Sequence, residues 1–426
     1  MYNYGYMSNN RVSVVSHGDF LQSFAKNVGD SSSARLFAMQ LEVTPDDNET
    51  SSLVVALNSL LSAREAGVDA RIALDMRYAQ SVTRVNNRDF PNWWPLLTRE
   101  EKIIRRENAS ITSKWLERLM RADAIDDLSP RRQSATHATR ARIIASGHIA
   151  QHWAAVHQKG GILLGETPDE SITTLTTGNL TTSDVETMNN LAVEFKGLRA
   201  HNMGRFVTGL IAPGAQLRNA GGHVWRNTSE DWITLIHDYN NVGDPARLPF
   251  IHTAAEKLID PGRNEVVIDG ELAVPEPVVV VYISQYSPDG KLALMLDRAQ
   301  SKGATVVIPQ QPKGDYRKTA FPYNIQAALS HINQVDSGLY LPNREKPSHL
   351  KSLVVKYDDG TAAILFGSDN YLTHIQKFVR NEELAVVMQI APTSNEELFA
   401  YSQFIQELLR AGEIDNAVFD MLRIVA

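Results

Sequence analysis

The sequence contains no cysteine, and this absence excludes several kinds of chemistry. Without thiols the chain cannot form disulfides, use a cysteine nucleophile, or bind zinc or an iron–sulfur cluster through sulfur. Any metal ion would have to be held by His, Asp or Glu side chains. The histidines show no ligand spacing such as His-Glu-x-x-His, so the sequence predicts neither a metal site nor a cofactor.

Long apolar runs are also absent. No stretch reaches the roughly 18 consecutive apolar residues that a membrane-spanning helix needs. Residues 1–10 have neither the basic start nor the apolar core of a secretory signal. From these two observations we expect a cytoplasmic protein without a transmembrane segment.

The chain has no excess of positive charge. Its formal net charge of −7 excludes a protein coated in basic surface for nucleic acid, but it leaves room for one local basic patch. With 43% hydrophobic and 21% charged residues, the composition is that of a globular protein. Its 426 residues favour two domains, or two fused copies of one unit, over a single core.

Strand-like and helix-like periods alternate in two separate parts of the chain. Residues 11–15 predict a strand, 18–28 a helix, 34–43 a strand, 51–66 a helix that stops at Gly67, and 68–75 another strand. The same order recurs in residues 277–284, 289–302 and 304–309, with a helix that stops at Gly303. This pattern predicts an α/β fold and suggests an internal duplication.

A pair of short motifs strengthens the case for duplication. His157 and Lys159 frame a His-x-Lys triplet that Asn179 follows 22 residues after the histidine. His349 and Lys351 frame the second triplet, and Asn370 follows after 21 residues. A hydroxyl residue lies two positions before each asparagine, namely Thr177 in the first motif and Ser368 in the second.

Each His-x-Lys precedes an apolar run that can continue as a strand. Because positions i and i+2 of a strand share a face, the histidine and the lysine are expected to point the same way. In the second half the run turns at residues 357–360 and returns, which predicts a hairpin. Such a hairpin would bring Ser368 and Asn370 back beside His349 and Lys351.

With these two motifs the sequence resembles the phospholipase D superfamily, whose bilobal members carry His-x-Lys and Gly-Ser-x-Asn twice. The resemblance covers residues 11–75, 148–210 and 277–411. It implies metal-independent phosphodiester chemistry at one site shared by two lobes. His157 would attack phosphorus to form a phosphohistidine, and His349 would protonate the leaving oxygen.

The same resemblance implies roles for the other motif residues. Lys159, Lys351, Asn179 and Asn370 would hold the phosphoryl oxygens, with Thr177 and Ser368 in support. The family often places a glutamate behind each histidine to orient it. Candidates in this sequence are Glu186, Glu382 and Glu383.

The sequence departs from the family pattern at two places. Many members carry an aspartate five residues after the motif lysine, where this chain has Leu164 and Lys356. The first motif also has Thr176 and Thr177 in place of Gly and Ser. These departures weaken kinship with bacterial phospholipases and favour the tyrosyl-DNA phosphodiesterase branch.

The first half is longer than the second because of a basic segment within residues 76–142. This segment holds 14 Lys and Arg against 8 Asp and Glu. Its helix could pack on the first lobe with solvated arginines, or it could cover the active-site mouth and attract an anionic substrate. For the second reading the candidate substrate-binding residues are Trp93, Trp94, Arg105 and Arg106, which suit an anionic membrane surface or a single nucleic-acid strand equally.

The sequence therefore predicts an α/β protein of two similar phospholipase D-like lobes, each a mixed sheet flanked by helices, packed as a pseudo-twofold dimer. We expect a first lobe over residues 1–210, an inter-lobe connection over 211–276 and a second lobe over 277–426. The predicted activity is that of a phosphodiesterase, either a hydrolase or a phosphatidyltransferase. Its substrate is expected to be a phospholipid, with peripheral contact to an anionic membrane; the alternatives are a nucleic-acid phosphodiesterase and an inactive anion-binding scaffold.

Overall fold

The computed structural model describes most of the two predicted lobes. The described residues are 11–45, 49–75, 98–128, 157–211, 222–229, 231–239, 250–261, 275–284, 290–309, 339–340, 346, 348–368 and 382–424.

The first half of the chain forms a seven-stranded sheet, a separate pair of short strands, β3 and β8, and the helices beside them. Its elements are β1 (Arg11–Ser16), α1 (His17–Asn27), β2 (Ser33–Ala38), β3 (Leu41–Glu42), α2 (Ser52–Glu65), β4 (Asp69–Leu74), α3 (Arg99–Arg121), β5 (Ile125–Asp127), β6 (Gly160–Leu164), β7 (Ile172–Thr176), β8 (Leu180–Thr181), β9 (Leu191–Lys196) and α4 (Leu198–Ile211).

The second half forms another sheet. Its elements are β10 (His223–Trp225), β11 (Ile233–Tyr239), α5 (Phe250–Ile259), β12 (Pro277–Ile283), α6 (Gly290–Ser301), β13 (Thr305–Pro309), β14 (Leu339–Tyr340), β15 (Ser352–Tyr357), β16 (Ala362–Gly367), β17 (Glu382–Ile390), α7 (Asn395–Arg410) and α8 (Asn416–Leu422).

The two sheets have the same strand order. The first runs β1-β9-β7-β6-β2-β4-β5, and the second runs β10-β11-β17-β16-β15-β12-β13-β14. The second sheet has one additional strand, β10, at its edge. From β11 onward its strands pair in the same directions as those of the first sheet, with four antiparallel pairs followed by two parallel pairs. The predicted mixed α/β fold with two similar lobes is confirmed, while their packing as a pseudo-twofold dimer stays a prediction.

Three apolar cores hold the layers together. One core lies between α1, α2, α3 and the outer face of the first sheet, and it includes Phe20, Leu57 and Trp115. A second lies between α5, α6 and the outer face of the second sheet. The third joins the inner faces of both sheets to α4 and α7, through residues such as Met203 and Phe404. Because this central core is shared, the two sheets hold each other in place.

Local sequence signals account for the ends of the helices. Ser16 caps α1, Ser51 caps α2, and Thr98 forms a capping box with Glu101 at the start of α3. Gly67 and Gly303 follow α2 and α6 with φ of 98° and 104°, a conformation that glycine adopts without steric cost. The predicted helix–strand units at both places are therefore observed.

The predicted inter-lobe connection and the basic segment each contribute strands to a sheet and a helix that packs on it. Within 211–276, β10 and β11 are strands of the second sheet and α5 packs on its outer face. Within 76–142, α3 packs in the outer core of the first lobe and β5 is the edge strand of its sheet. Among the described helices, none combines the length and hydropathy that a bilayer span requires.

Lys356, which occupies the place of the family's second aspartate, joins a central strand to the C-terminal helix. It lies in β15, and its ammonium donates to the carbonyl oxygens of Met421 at 2.9 Å and Arg423 at 2.7 Å. These carbonyls lie at the end of α8, where a helix leaves its last acceptors without intrahelical donors. Lys356 thus stabilises the fold of the second lobe.

We predict that Lys356→Met lowers the free energy of unfolding by about 1–2 kcal/mol, because two charge-assisted hydrogen bonds are lost. Urea denaturation followed by circular dichroism measures this change. The control is Arg410→Met, which removes an exposed cation 2.8 Å from Glu407 and should change stability by less than about 0.5 kcal/mol. Equal stabilities of the two variants would contradict the role given to Lys356.

Candidate active site

Reciprocal backbone hydrogen bonds join the two motifs. The N–H of His157 donates to the carbonyl oxygen of Glu382 at 2.8 Å, and the N–H of His349 donates to that of Asn189 at 2.9 Å. Glu382 begins β17 in the second lobe, and Asn189 lies just before β9 in the first. Each motif histidine is therefore held by the other lobe, and the predicted catalytic histidines lie at the junction of the two sheets.

His157 is buried against a carboxylate of the second lobe. Its Nδ1 lies 2.9 Å from Oε2 of Glu383, and the hydroxyl of Ser368 donates to the same oxygen at 2.5 Å. Burial, together with the nearby ammonium groups of Lys159 and Lys351, lowers the pKa of His157 well below its ordinary value. The imidazole is therefore neutral at physiological pH, with Nδ1–H directed to the carboxylate and the lone pair on Nε2.

His349 is buried against a carboxylate of the first lobe. Its Nδ1 lies 2.6 Å from Oδ1 of Asp184. Burial and the charge of Lys351 lower the pKa of His349 to about 4, although Asp184 opposes this shift. Burial alone would raise the pKa of Asp184, but the neighbouring His349, His17 and Lys351 outweigh it and hold that pKa well below its usual range.

The two motif lysines make the same contact in both lobes. Lys159 Nζ donates to the carbonyl oxygen of His157 at 2.8 Å, and Lys351 Nζ donates to that of His349 at 2.7 Å. Both side chains are almost completely buried. Burial lowers the pKa of Lys159 to about 8, although the negative charges of Glu383 and Asp184 oppose the shift.

The hydroxyl residues of the two motifs occupy matching positions. The N–H of Thr177 donates to the carbonyl oxygen of Leu191, and the N–H of Ser368 donates to that of Leu384. In return, the N–H groups of Leu191 and Leu384 donate to the hydroxyl oxygens of Thr177 and Ser368. The structure thus brings both hydroxyls to the same edge as the histidines.

Asn179 is buried beside the first hydroxyl. In the part of the chain that the structure describes, its side-chain Oδ1 has no hydrogen-bond partner. A buried amide that lacks a partner loses free energy unless a ligand or water supplies one. The unpartnered oxygen can accept only from a donor, whereas the amide nitrogen Nδ2 is the group that can donate to an oxygen of a substrate.

The two lobes provide their carboxylates in different ways. Matching backbone hydrogen bonds make Asn190 the counterpart of Glu383, because each precedes the leucine that pairs with the motif hydroxyl. Thr177 donates to Oδ1 of Asn190 at 2.9 Å, as Ser368 does to Glu383. Asn190 Nδ2 then donates to Oδ1 of Asp184 at 3.1 Å. Asn190 thus occupies the position that Glu383 has in the second lobe, and the negative charge in the first lobe comes from Asp184.

The three predicted supporting glutamates have three different surroundings. Glu383 contacts His157, as described. Glu382 is buried nearby, but its Oε1 lies 3.0 Å from Nε2 of His237 in β11 and not beside a motif histidine. Glu186 is exposed, and the structure does not bring it into the cluster.

Asp184 and Asn190 were not identified from the sequence. Asp184 lies in a π-helical turn, Ser183–Thr187, whose wider geometry changes which residues point inward. It follows Asn179 by five residues, so an acid at this distance from the motif was the signal that could have identified it.

The remaining predicted residues lie at the edge of the site or outside the described structure. Arg105 and Arg106 are exposed on α3. This helix reaches the first motif indirectly, because Asn108 donates to Glu42 of β3, which pairs with β8 just after Asn179. Trp93, Trp94 and Asn370 lie outside the described residues.

This arrangement is suited to anion chemistry. It combines two neutral imidazoles, each with a carboxylate on Nδ1, and two buried ammonium groups in a site with little water. Among the described residues, no group of three or more His, Asp and Glu side chains is arranged to hold a metal ion. The site can therefore bind an oxyanion through its lysines and provide one nucleophile and one proton carrier through its histidines.

Comparison with known proteins supports the fold assignment. No family model matches the chain, and no curated protein matches its sequence. The crystal structure of phosphatidylserine synthase from Haemophilus influenzae Rd KW20 matches with a TM-score of 0.58 and 11% identity, over 97% of this chain and 92% of that one. The chain thus has the fold expected from its resemblance to the phospholipase D superfamily.

A second solved structure is longer than this chain. The polyphosphate kinase from Porphyromonas gingivalis matches with a TM-score of 0.46 and 12% identity, over 93% of this chain. The chain spans 50% of the length of that kinase.

We predict that Asp184→Asn lowers the pKa of His349 further below about 4, because the carboxylate that favours the imidazolium is lost. Nitrogen-15 NMR of histidine ring signals, titrated from pH 7 downward, measures this change. Glu186→Gln removes an exposed acid two residues away and is the matched control. An unchanged His349 titration in Asp184→Asn would show that the contact does not stabilise charge on the ring.

Proposed function

We propose that the chain is a phosphodiesterase that forms a covalent phosphohistidine at a site shared by both lobes. The observation that carries this proposal is the pair of crossed contacts, His157 with Glu383 and His349 with Asp184, around two buried lysines. A phosphodiester is an anion with a poor leaving group, so its cleavage needs a nucleophile, an acid and stabilisation of charge. The site provides each of these.

His157 is the nucleophile in this proposal. Glu383 accepts from Nδ1–H, which leaves the lone pair on Nε2 free to attack phosphorus. The new Nε2–P bond forms as the bond between phosphorus and the leaving oxygen breaks. The low pKa of His157 keeps the ring neutral and therefore nucleophilic.

His349 carries the proton. Its pKa of about 4 in the free protein must rise for it to act as an acid, and a bound phosphodiester anion would supply the negative charge that raises it. Ionised Asp184 at 2.6 Å stabilises the imidazolium. His349 then protonates the leaving oxygen, and as a neutral base it removes a proton from the water or alcohol that attacks the phosphohistidine and releases His157.

Lys159, Lys351 and Asn179 would hold the phosphoryl oxygens. Ammonium groups in a site of low dielectric stabilise developing negative charge more strongly than they would in water. Asn370 is proposed for the same role from the second motif. Thr177 and Ser368 would position Asn190 and Glu383 through the hydrogen bonds already described.

For the substrate we propose a phospholipid, with water or an alcohol as the acceptor. The support is the structural match along almost the whole chain to a protein named phosphatidylserine synthase. A nucleic-acid phosphodiester is the second candidate, favoured by the exposed Arg105 and Arg106 on α3, whose neighbour Asn108 reaches β3 beside the first motif. An inactive anion-binding scaffold is the third, and it would bind these anions without turnover.

We predict that His157→Ala and His349→Ala each reduce turnover by at least about 1,000-fold, because one shared site needs both groups. The assay measures product release in EDTA from labelled phospholipid vesicles and from single-stranded DNA and RNA. Mass spectrometry after an alkaline denaturing quench, which preserves the P–N bond, should find the phosphoryl adduct on His157, and the adduct should be absent in His157→Ala. Near wild-type turnover in either variant would contradict the shared site.

We predict that kcat/KM falls as pH rises through about 8. Lys159 has its pKa lowered to about 8, so its ammonium is charged below this pH and neutral above it. Loss of the charge removes a contact to the phosphoryl oxygens. A pH–rate profile between 6 and 10 measures this limb, and in Lys159→Arg it should move to higher pH because arginine stays charged. A flat wild-type profile to pH 10 would contradict this role.

A further inference from the structure

His17 lies beneath the first motif but belongs to neither motif. It is the first residue of α1, directly after β1, and its side chain is 2% exposed. Nδ1 lies 2.9 Å from Oγ1 of Thr176, and Nε2 lies 2.9 Å from the carbonyl oxygen of Asn179. Its backbone N–H also donates to the carbonyl oxygen of Asn190 at 3.2 Å. His17 therefore contacts the end of β7, the loop that follows it and the residue just before β9.

The contacts of His17 determine which ring nitrogen carries the proton. A carbonyl oxygen can only accept, so Nε2 must donate to Asn179. Burial lowers the pKa of His17, although the charge of Asp184 opposes the shift, and the ring is therefore neutral with Nδ1 as an acceptor. The hydroxyl of Thr176 lies 2.9 Å from Nδ1 and 2.9 Å from the carbonyl oxygen of Leu191, so its single proton is shared between these two acceptors. The imidazole bridges two residues of the loop in one fixed orientation.

The same histidine explains why the first motif departs from the second. At Gly178, a Cβ would lie only 2.9–3.0 Å from three atoms of the His17 ring, so any side chain there would displace the imidazole. The second motif has Asp369 at the matching position. Thr176, which provides the hydroxyl, matches Gly367, since these residues pair with Ala192 and Ala385 at equivalent places in the two sheets. Both departures thus accommodate His17.

The second lobe uses the matching position differently. Strand register places His17 one residue after Ser16, which pairs with Leu191, and Asp238 one residue after His237, which pairs with Leu384. Asp238 accepts from the N–H of Ile251 in α5 at 2.9 Å. In the second lobe this residue therefore contacts a helix on the outer face of the sheet.

We propose that His17 is a positioning residue that holds Asn179 in place for the phosphoryl group. Its donation to the carbonyl of Asn179 fixes the backbone from which the buried side-chain amide projects. Thr176 and Gly178 belong to the same arrangement, because the Thr176 hydroxyl contacts Nδ1 and the missing side chain at Gly178 leaves room for the ring. This inference rests on the proposed function, because it assigns the held amide to a phosphoryl ligand.

The test compares His17→Gln and His17→Asn, each of which can replace only one of the two ring nitrogens. In His17→Gln the amide nitrogen can reach the position of Nε2 and donate to Asn179, whereas in His17→Asn the shorter amide reaches only the Nδ1 side, near Thr176. We expect His17→Ala and His17→Asn to lose about 10- to 100-fold in kcat/KM, since small misplacement of a group that contacts the reacting centre has effects of this size. His17→Gln should recover most of this loss.

The substrate for these measurements is bis(4-nitrophenyl) phosphate, a soluble diester, and isothermal titration with orthovanadate measures oxyanion affinity separately. The affinity for orthovanadate should fall in His17→Ala and His17→Asn and be largely restored in His17→Gln. Melting temperatures of the three variants show whether a loss merely follows unfolding. Equal losses in His17→Gln and His17→Asn, or losses that follow melting temperature alone, would overturn the proposal.

A double-mutant cycle tests the link to Thr176. Thr176→Val removes the hydroxyl that orients the ring at nearly constant volume. Because this hydroxyl also bonds the carbonyl oxygen of Leu191, Thr176→Val has a loss of its own, and coupling to His17 predicts that the double variant His17→Ala with Thr176→Val loses less than the sum of the two single losses. Fully additive losses in kcat/KM would show that Thr176 does not act through His17.

Failure of the proposed function would look different from failure of this inference. If the wild-type protein neither cleaves any diester nor binds orthovanadate, the proposed phosphodiesterase is wrong and the amide has no phosphoryl ligand. If the wild-type protein does both and the His17 variants match it, only the positioning role is wrong.

Discussion

The structure depends on two contacts that cross between the lobes, in which a carboxylate of each lobe lies against the motif histidine of the other. Each motif histidine has its carboxylate in the opposite lobe, and each is held there by a backbone hydrogen bond to the same lobe. Two lysines are buried with two carboxylates, so the cluster carries no formal excess of charge when the histidines are neutral. Burying any one of these charges alone would be costly, because an unpaired ion loses its hydration. Neither half of the chain therefore contains a complete site, and the shared apolar core keeps the halves together.

This constraint also explains the behaviour of the titratable groups. Burial lowers the pKa of both histidines and of Lys159, while the charges of Glu383 and Asp184 oppose the shift of Lys159. A site balanced in this way gains most from a ligand that brings one more negative charge. A phosphodiester is such a ligand, and its charge would favour the protonated His349 that the proposed chemistry needs.

The two halves share one frame and differ in the residues around their motifs. The sheets share their strand order, and the motif hydroxyls make matching backbone contacts. Around them, Asn190 replaces the glutamate found at Glu383, Asp184 supplies the charge from a π-helical turn, and His17 occupies space that Gly178 leaves open. Lys356 likewise holds the C-terminal helix of the second lobe. At each place where the two lobes differ, a nearby side chain makes up for the difference.

The sequence by itself determined the α/β units, the helix ends at Gly67 and Gly303 and the two motifs, because these depend on local periodicity, glycine conformation and short spacing. Through the family resemblance it also offered Glu383 as a candidate partner, together with Glu382 and Glu186. The sequence could not assign β11 to a sheet or choose Asp184 over Glu186. It gave no sign of His17, because that residue meets Thr176 across 159 positions. Tertiary structure decided which carboxylate faces which histidine, since these partners come from opposite lobes and no local pattern reports contacts between distant strands.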